Sequence, residues 1–174
     1  MSLRHFFIAS SLILAPITTL SFGSAAFADT ATDSIILSGT VESQIAINAT
    51  PTTDSTNLPM TQLSESGANV VRVANLDITS NNPAGITIEA SSTNNGKLKT
   101  TNGDEIAYRI AIVNNNSGIP SSVSTVSSFG LDVTSGFDPD TGVKQMDLYI
   151  DYTVGGMPKQ GNYSDTLTIT VADN

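Results

Sequence analysis

The chain of 174 residues contains no cysteine, no tryptophan and a single histidine, His5. Without cysteine no disulfide can form, so the fold has to be stabilised by its core and its hydrogen bonds. Aromatic residues make up only 6% of the chain. Tyr149 is the one aromatic residue predicted to face outward, and one exposed ring does not form a stacking platform for carbohydrate.

Basic residues are scarce as well. Seven Lys and Arg residues stand against sixteen Asp and Glu residues, and the formal net charge is −9. A chain this acidic is a poor partner for nucleic acid and for an anionic membrane surface. The charges are scattered singly along the sequence, which is typical of a solvated surface.

Residues 1–28 have the pattern of a secretory signal peptide. Arg4 and His5 provide the positive start, residues 6–20 are mostly apolar, and Ala26-Phe27-Ala28 is an A-x-A cleavage site. Polar residues and a proline interrupt the apolar stretch, and no later run approaches the length of a membrane span. We therefore expect an exported protein without a membrane span, whose mature chain is residues 29–174.

Removal of residues 1–28 also removes the histidine. The mature chain then cannot form a Ser-His-Asp triad, a Cys-His pair or a usual zinc site. Residues 138–142 (Asp-Pro-Asp-Thr-Gly) favour a turn capped by aspartate over a calcium loop, because the alternating ligands and distal Glu of an EF-hand are missing. Asp147 and Asp151 occupy outward strand positions beside Tyr149. We assign no catalytic, cofactor-binding or metal-binding residue and expect no enzyme.

Seven to nine short segments alternate apolar and polar residues and are separated by turn residues, which predicts an all-β fold and a single β-sandwich. A switch of parity near Ala74 and Asn75 predicts a bulge or bend in one long strand. Asn94-Asn95-Gly96 predicts a tight hairpin followed by a short edge strand at residues 97–100. Residues 129–134 predict one weak strand. The rows predicted to face inward are Val71, Val73, Leu76 and Ile78; Ile86, Ile88 and Ala90; Ile106, Tyr108, Ile110 and Ile112; Met146, Leu148, Ile150, Tyr152 and Val154; and Tyr163, Leu167, Ile169 and Val171.

The N-terminus of the mature chain carries two successive alternating segments. In the first, Ile35, Leu37, Gly39 and Val41 fall on one face of an extended chain. The second, after a short break, contains Ile45 and Ile47 and ends at Pro51. A strand next to a free end can pair with its own sheet or with the sheet of another molecule. The residues by themselves leave both arrangements open.

Both ends of the chain resemble the subunits of chaperone-usher pili, most closely the cysteine-free major pilins of the alternate, or alpha, branch. The segments that carry the resemblance are the alternating residues 35–41, the acidic break at residues 42–44, the Ile-Ala-Ile of residues 45–47, and the ending Gly161-Asn162-Tyr163-Ser164 before an alternating strand. The ending is also similar to that of spore coat protein U-like secreted proteins. The match covers about thirty residues, and the middle of the chain agrees only in its strand pattern.

This resemblance implies an immunoglobulin-like sandwich that lacks one strand, which a periplasmic chaperone lends first and the next subunit then replaces. It divides the mature chain into a donor-strand extension at residues 29–43 and a sandwich domain at residues 44–174. It implies neighbouring copies, a periplasmic chaperone and an outer-membrane usher as partners, with passage through the periplasm to a fimbrium on the cell surface. The alternative is a secreted coat-type or adhesive sandwich that completes itself and does not polymerise. The implied donor residues are Ile35, Leu37, Gly39 and Val41, and the implied groove and chaperone-binding residues are Tyr163, Leu167, Ile169 and Val171.

Overall fold

A computed structural model describes residues 32–60 and 68–174. The predicted signal peptide and its cleavage site lie outside the described residues. The chain divides into two units at Gly39, and every strand belongs to the second unit, residues 40–174. Across the described ranges, no helix is both long enough and apolar enough to cross a membrane.

Nine strands and two short 3-10 turns make up the regular structure of these ranges. The turns are Thr53–Thr56 and Val126–Ser128. The strands are β1 Ile45–Pro51, β2 Ala68–Ser80, β3 Ile86–Ser92, β4 Lys97–Lys99, β5 Glu105–Asn114, β6 Ser124–Thr125, β7 Gly130–Val133, β8 Val143–Thr153 and β9 Leu167–Asp173.

The strands form two antiparallel sheets. The large sheet has the order β1-β2-β8-β5-β4, with β6 also paired to β5, and the small sheet has the order β7-β3-β9. The prediction of an all-β sandwich is therefore confirmed. Strand β1 is therefore an edge strand of the large sheet, and β9 is an edge strand of the small sheet.

The predicted inward rows of the central strands form the core between the two sheets. Leu76, Ile78, Ile86, Ile88 and Ile110 have no exposed surface at all. These residues come from strands of both sheets, which is the arrangement expected when the inner faces of a sandwich interdigitate. The row on β9 differs, since its apolar side chains are only half-buried.

The predicted bulge lies in β2, where the pairing with β8 shifts register between Arg72 and Ala74. Thr52 caps this irregular point from the chain that follows β1. Its N–H donates to the carbonyl of Val73 at 2.9 Å, and its hydroxyl donates to the carbonyl of Arg72 at 2.7 Å. The carbonyl groups at the bulge are therefore hydrogen-bonded although the bulge interrupts the ladder. Most backbone groups in folded proteins have such a partner.

The predicted hairpin at residues 94–96 is wrong, although the turn itself is present. Asn95 and Gly96 have φ of 55° and 73°, which is the left-handed conformation that asparagine and glycine adopt most easily. The strands on either side are not partners, because β3 belongs to the small sheet and β4 pairs with β5 in the large one. The turn therefore carries the chain from one sheet to the other.

The prediction that Asp147, Tyr149 and Asp151 face solvent also needs correction. They do alternate with the inward row of β8, but their exposed fractions are 1%, 9% and 5%. Strand β8 lies between β2 and β5, and each of these neighbours contributes an arginine that pairs with an aspartate of β8. Arg72 Nη1 lies 3.4 Å from Asp147 Oδ1, and Arg109 Nη2 lies 2.5 Å from Asp151 Oδ2.

Candidate functional site

A groove opens between β1 and β9, the edge strands of the two sheets. Within the described residues, β1 pairs only with β2 and β9 pairs only with β3, so the outer edge of each strand has main-chain groups without a strand partner. The groove has a volume of about 390 Å³. An exposed strand edge is a template for pairing with a further strand.

The walls of the β1–β9 groove are mainly apolar and reach down to the core. Both edge strands contribute side chains, as do the floor strands of the large sheet and the loop after β1. The lining residues are Ala49, Pro51, Ser55, Leu58, Val73, Ala74, Leu98, Tyr108, Leu148, Ile150, Asp165, Thr166, Leu167 and Ile169.

The β2 bulge widens the apolar floor of this groove. Because of the register shift, the consecutive residues Val73 and Ala74 both line it, whereas a regular strand would turn only one of them inward. Pro51 ends β1 opposite Ala74 and has no N–H to donate to a further strand. The register shift therefore explains why two consecutive residues of β2 line the groove.

The side chains at the rim leave part of the core open to solvent. Leu167 and Ile169 on β9 pack against the core but are only half-buried, and Ala49 and Pro51 on β1 line the same groove and are exposed. A strand laid between β1 and β9 would cover this rim. The incomplete burial is what the sandwich would look like with one strand missing between these two edges.

The end of the groove near Pro51 is polar, because Asp165 lies there. One carboxylate oxygen accepts hydrogen bonds from the hydroxyls of Tyr108 at 2.7 Å and Ser92 at 2.5 Å, and the other accepts from the N–H groups of Asn94 at 3.0 Å and Thr166 at 2.7 Å. Burial raises the pKa of Tyr108, and the neighbouring carboxylate adds to this. Tyr108 is therefore a neutral hydrogen-bond donor at all ordinary pH values.

At its opposite end the groove is closed by contacts between the chain before β1 and the rest of the sandwich. The hydroxyl of Ser43 donates to the Asp173 carboxylate at the end of β9. Asn81, in the turn after β2, contacts the same short segment twice with its side chain. Its Nδ2 donates to the carbonyl of Glu42 at 2.9 Å, and its Oδ1 accepts from the N–H of Gln44 at 2.8 Å.

The proposed donor residues lie in a segment without secondary structure. Residues 32–44 form no strand, and Ile35, Leu37 and Val41 are 85%, 89% and 84% exposed. Ile36, on the opposite face of an extended chain, is 90% exposed. Several large apolar side chains in one short segment are therefore exposed to solvent. This arrangement is unfavourable in water unless another surface covers these side chains.

Two of the four residues expected at an acceptor groove do line the β1–β9 groove, namely Leu167 and Ile169. Tyr163 and Val171 are half-buried on the same row but lie outside its lining, and the Tyr163 hydroxyl donates to the carbonyl of Lys159 at 3.1 Å. The contributions of β1 and of the loop after it were not predicted from the sequence. Asp165 could have been noticed from the sequence, because it is the only charged residue on the inner row of the last segment.

The surface has other depressions of similar size, and their linings differ. One of about 430 Å³ includes Asp132 and Lys144 beside apolar residues, and one of about 470 Å³ is formed by residues 79–83 and 137–142 with Gln44. In the second, Asp138 Oδ1 accepts from the N–H of Thr141 at 2.8 Å and the N–H of Asp140 at 3.0 Å. These bonds, the one from Thr141 first, lower the pKa of Asp138. The expected aspartate-capped turn is present there.

Known proteins add little to this description. No protein-family model matches the chain, and no curated protein is significantly similar to it. Among solved structures, a family 123 glycoside hydrolase from Clostridium perfringens is similar over 77% of this chain, at 12% identity and a TM-score of 0.37. The chain spans only 25% of that enzyme. A similarity at this level carries no argument about activity.

Proposed function

We propose that the protein is a non-enzymatic structural subunit of a surface fibre, in which the N-terminal extension of one copy fills the β1–β9 groove of the next. The observation that carries the proposal is the pairing of an open apolar groove between two unpaired strand edges with an exposed, alternating apolar segment in the same chain. The resemblance of both chain ends to alpha-type major pilins supports the same assignment.

The two ends of the groove suggest the direction in which the donor strand enters. The end at Ser43 and Asp173 is closed by hydrogen bonds, and the receiving subunit's own extension leaves there. Only three residues, 42–44, separate the donor segment from β1 of its own domain, so that domain must sit directly beyond Val41. It fits at the open end near Pro51. The donor strand would then run antiparallel to β9.

The energetics are those of strand addition with side chains filling a groove. Main-chain hydrogen bonds to the free edges of β1 and β9 would align the donor, and Ile35, Leu37 and Val41 would leave water. Each fully buried aliphatic side chain contributes roughly 1.5–3 kcal/mol. Gly39 adds no such burial but allows close approach of the two backbones. The described groove extends along β9 from Asp165 to Ile169, so seating the whole row requires the contact between Ser43 and Asp173 to break.

Head-to-tail addition of this kind does not close on itself and so produces a fibre. A subunit with an empty groove exposes part of its core, and its transit to the surface would need a temporary partner for that groove. We therefore propose a periplasmic chaperone and an outer-membrane usher as further partners. The groove residues Leu167 and Ile169 are the ones that such a chaperone strand would contact.

One competing function remains a specific alternative. The short connection between Val41 and Ile45 would also allow a hairpin in which the extension folds back beside β1 of the same chain. The protein would then be a self-completed coat-type or adhesive domain. In that arrangement the inserted strand runs antiparallel to β1, and no fibre forms.

The experiment is light scattering after size exclusion on the mature chain, with Leu37→Asp and the matched control Ile36→Asp. Both residues are almost fully exposed and adjacent, but only Leu37 belongs to the donor row. We expect wild type and Ile36→Asp to form multimers and Leu37→Asp to remain monomeric. Two folded monomers of equal stability from wild type and Leu37→Asp would contradict the proposal.

A complementation mixture separates the two roles of each subunit. Leu37→Asp retains an intact groove, and Ile169→Asp retains an intact extension. Each alone should stay monomeric, whereas an equimolar mixture should give a dimer that cannot grow. Thr170→Asp, on the exposed face of β9, is the control for Ile169→Asp and should still form multimers. A mixture that contains only monomers would speak for the self-completed alternative.

A further inference from the structure

We propose that Asn81 is a positioning residue that holds residues 42–44 in line with β1 and so prevents the extension from filling the groove of its own subunit. This inference rests on the proposed function, because it concerns which groove the extension enters. It assigns a specific role to a side chain in a turn that otherwise only connects β2 to β3.

The contacts of Asn81 extend the hydrogen bonding between β1 and β2 by one residue pair. The last regular pair is Ile45 with Ser80, so Gln44 and Asn81 come next in register. The backbone N–H of Asn81 donates to the carbonyl of Gln44 at 3.2 Å, and its side-chain oxygen accepts from the N–H of Gln44 at 2.8 Å. Its side-chain nitrogen reaches further, to the carbonyl of Glu42 at 2.9 Å. Asn81 therefore holds the backbone of Glu42 and of Gln44, the two neighbours of Ser43.

A hairpin with β1 would require a reversal of the chain within these same three residues. The Glu42 carbonyl and the Gln44 N–H would have to turn away from Asn81, and the Ser43 contact with Asp173 would be lost as well. The backbone pairs that close a tight turn cannot form while these groups are bound to Asn81. The contacts thus act against self-completion and leave the extension free for another copy.

The neighbouring Asn82 shows that this role is not shared by both turn asparagines. The Asn82 side-chain oxygen accepts from the N–H of Ala84 at 2.9 Å, and its carbonyl accepts from the N–H of Gly85 at 3.0 Å. Asn82 therefore stabilises the turn itself, whereas the side chain of Asn81 binds, within the described part of the chain, only the segment before β1. A substitution at Asn81 should leave the turn in place.

The absence of native cysteine allows a direct test by disulfide trapping. The full mature chain with Leu37→Cys and Ile169→Cys places one thiol on the donor row and one in the groove. Oxidation yields an intramolecular bond if the extension fills its own groove and a covalent ladder if it fills that of another copy. The ratio of the two products is read on non-reducing gels and by mass.

With Asn81 intact we expect mostly a ladder, and Asn81→Ala should raise the intramolecular share about tenfold, as the loss of two hydrogen bonds implies. Asn81→Asp keeps the acceptor for Gln44 but not the donor for Glu42, and should give an intermediate ratio. Asn75→Ala, an exposed asparagine on β2 outside these contacts, should change nothing. Thermal unfolding of each variant reports any general structural effect separately.

The outcomes distinguish the two proposals. Ladders in the same proportion with and without the Asn81 side chain would overturn its positioning role and leave the fibre intact. Intramolecular product alone, or no cross-link, in the chain that retains Asn81 would overturn the fibre and the positioning role together.

Discussion

The hydroxyl of Tyr108 donates a hydrogen bond of 2.7 Å to the carboxylate of Asp165, and this bond joins the two sheets at the polar end of the groove. Tyr108 belongs to β5 of the large sheet, and Asp165 lies two residues before the start of β9 of the small sheet. The same carboxylate oxygen accepts from Ser92 of β3 at 2.5 Å. Three segments that are distant in sequence therefore meet at one half-buried carboxylate.

Asp165→Asn should destabilise the fold. The amide replaces one of two oxygens that together accept four hydrogen bonds, so at least one half-buried donor loses its partner, at about 1 kcal/mol or somewhat more. Urea unfolding gives the loss. Asp54→Asn is the control, because Asp54 is exposed in the turn after β1. Equal stability of the two variants would show that the network contributes nothing.

Removing the Arg109 side chain should destabilise the fold more than the exposure of Arg109 suggests. Asp151 is 5% exposed, its Oδ1 has no hydrogen-bond partner among residues 32–60 and 68–174, and Arg109 is the partner of its other oxygen. Arg109→Met leaves a buried charge uncompensated, which we expect to cost about 3 kcal/mol, the lower end for broken buried pairs because Arg109 itself is half exposed.

The double variant Arg109→Met with Asp151→Leu removes the charge as well and should regain most of this stability. The measurement is the free energy of unfolding of both single variants and the double variant. A double variant as unstable as Arg109→Met would mean that packing of the arginine stem, not the charge, is responsible.

Gly85→Ala and Gly103→Ala form a matched pair, because both glycines have φ of +87°. Each substitution incurs the cost of a left-handed alanine, on the order of 1 kcal/mol. At Gly103 the added Cβ meets nothing within 4 Å, whereas at Gly85 it collides with the backbone of Val133 and Thr134 in and after β7. Thermal melts should show a clearly larger loss for Gly85→Ala. Equal losses would mean that β7 moves away without cost.

Glu105 should make the fold sensitive to acid. Hydrogen bonds from Lys97 first and Lys99 next lower its pKa from 4.5 to about 2. Because the folded pKa is the lower one, this contribution to stability is present above pH 4.5 and is lost as the pH falls towards 2. Unfolding midpoints measured across this range should fall less steeply for Glu105→Gln than for wild type. Glu89→Gln, at a residue without an ion pair in the described ranges, should follow wild type.

Most of the strands were predictable because their side chains alternate. The rows around Ile88, Ile110 and Leu148 face inward as expected, since one face of each strand is buried and the period of two is strict. The bulge in β2 was predictable for the same reason, since an extra residue reverses the parity. The predicted hairpin at Asn95 is wrong, because a turn sequence specifies local dihedral angles and not which sheet the next strand joins.

The candidate site was only half predictable. Leu167 and Ile169 were identified through the alternation of the last strand, but Ala49 and Pro51 were not expected opposite them. The groove is formed by two edges that no hydrogen bond joins, so no local pattern marks it. The burial of Asp147 and Asp151 was missed because it depends on arginines that neighbouring strands contribute.

The sequence by itself determined the all-β class, the inward rows, the bulge and the alternation of the N-terminal segment, because each follows from the chemistry of residues close together in the chain. Only the tertiary structure decided the division into two sheets, the groove between β1 and β9, the Tyr108–Asp165 bond and the contacts of Asn81. These depend on pairing between segments far apart in sequence. Alternation specifies which face of a strand is buried, but not which strand lies beside it.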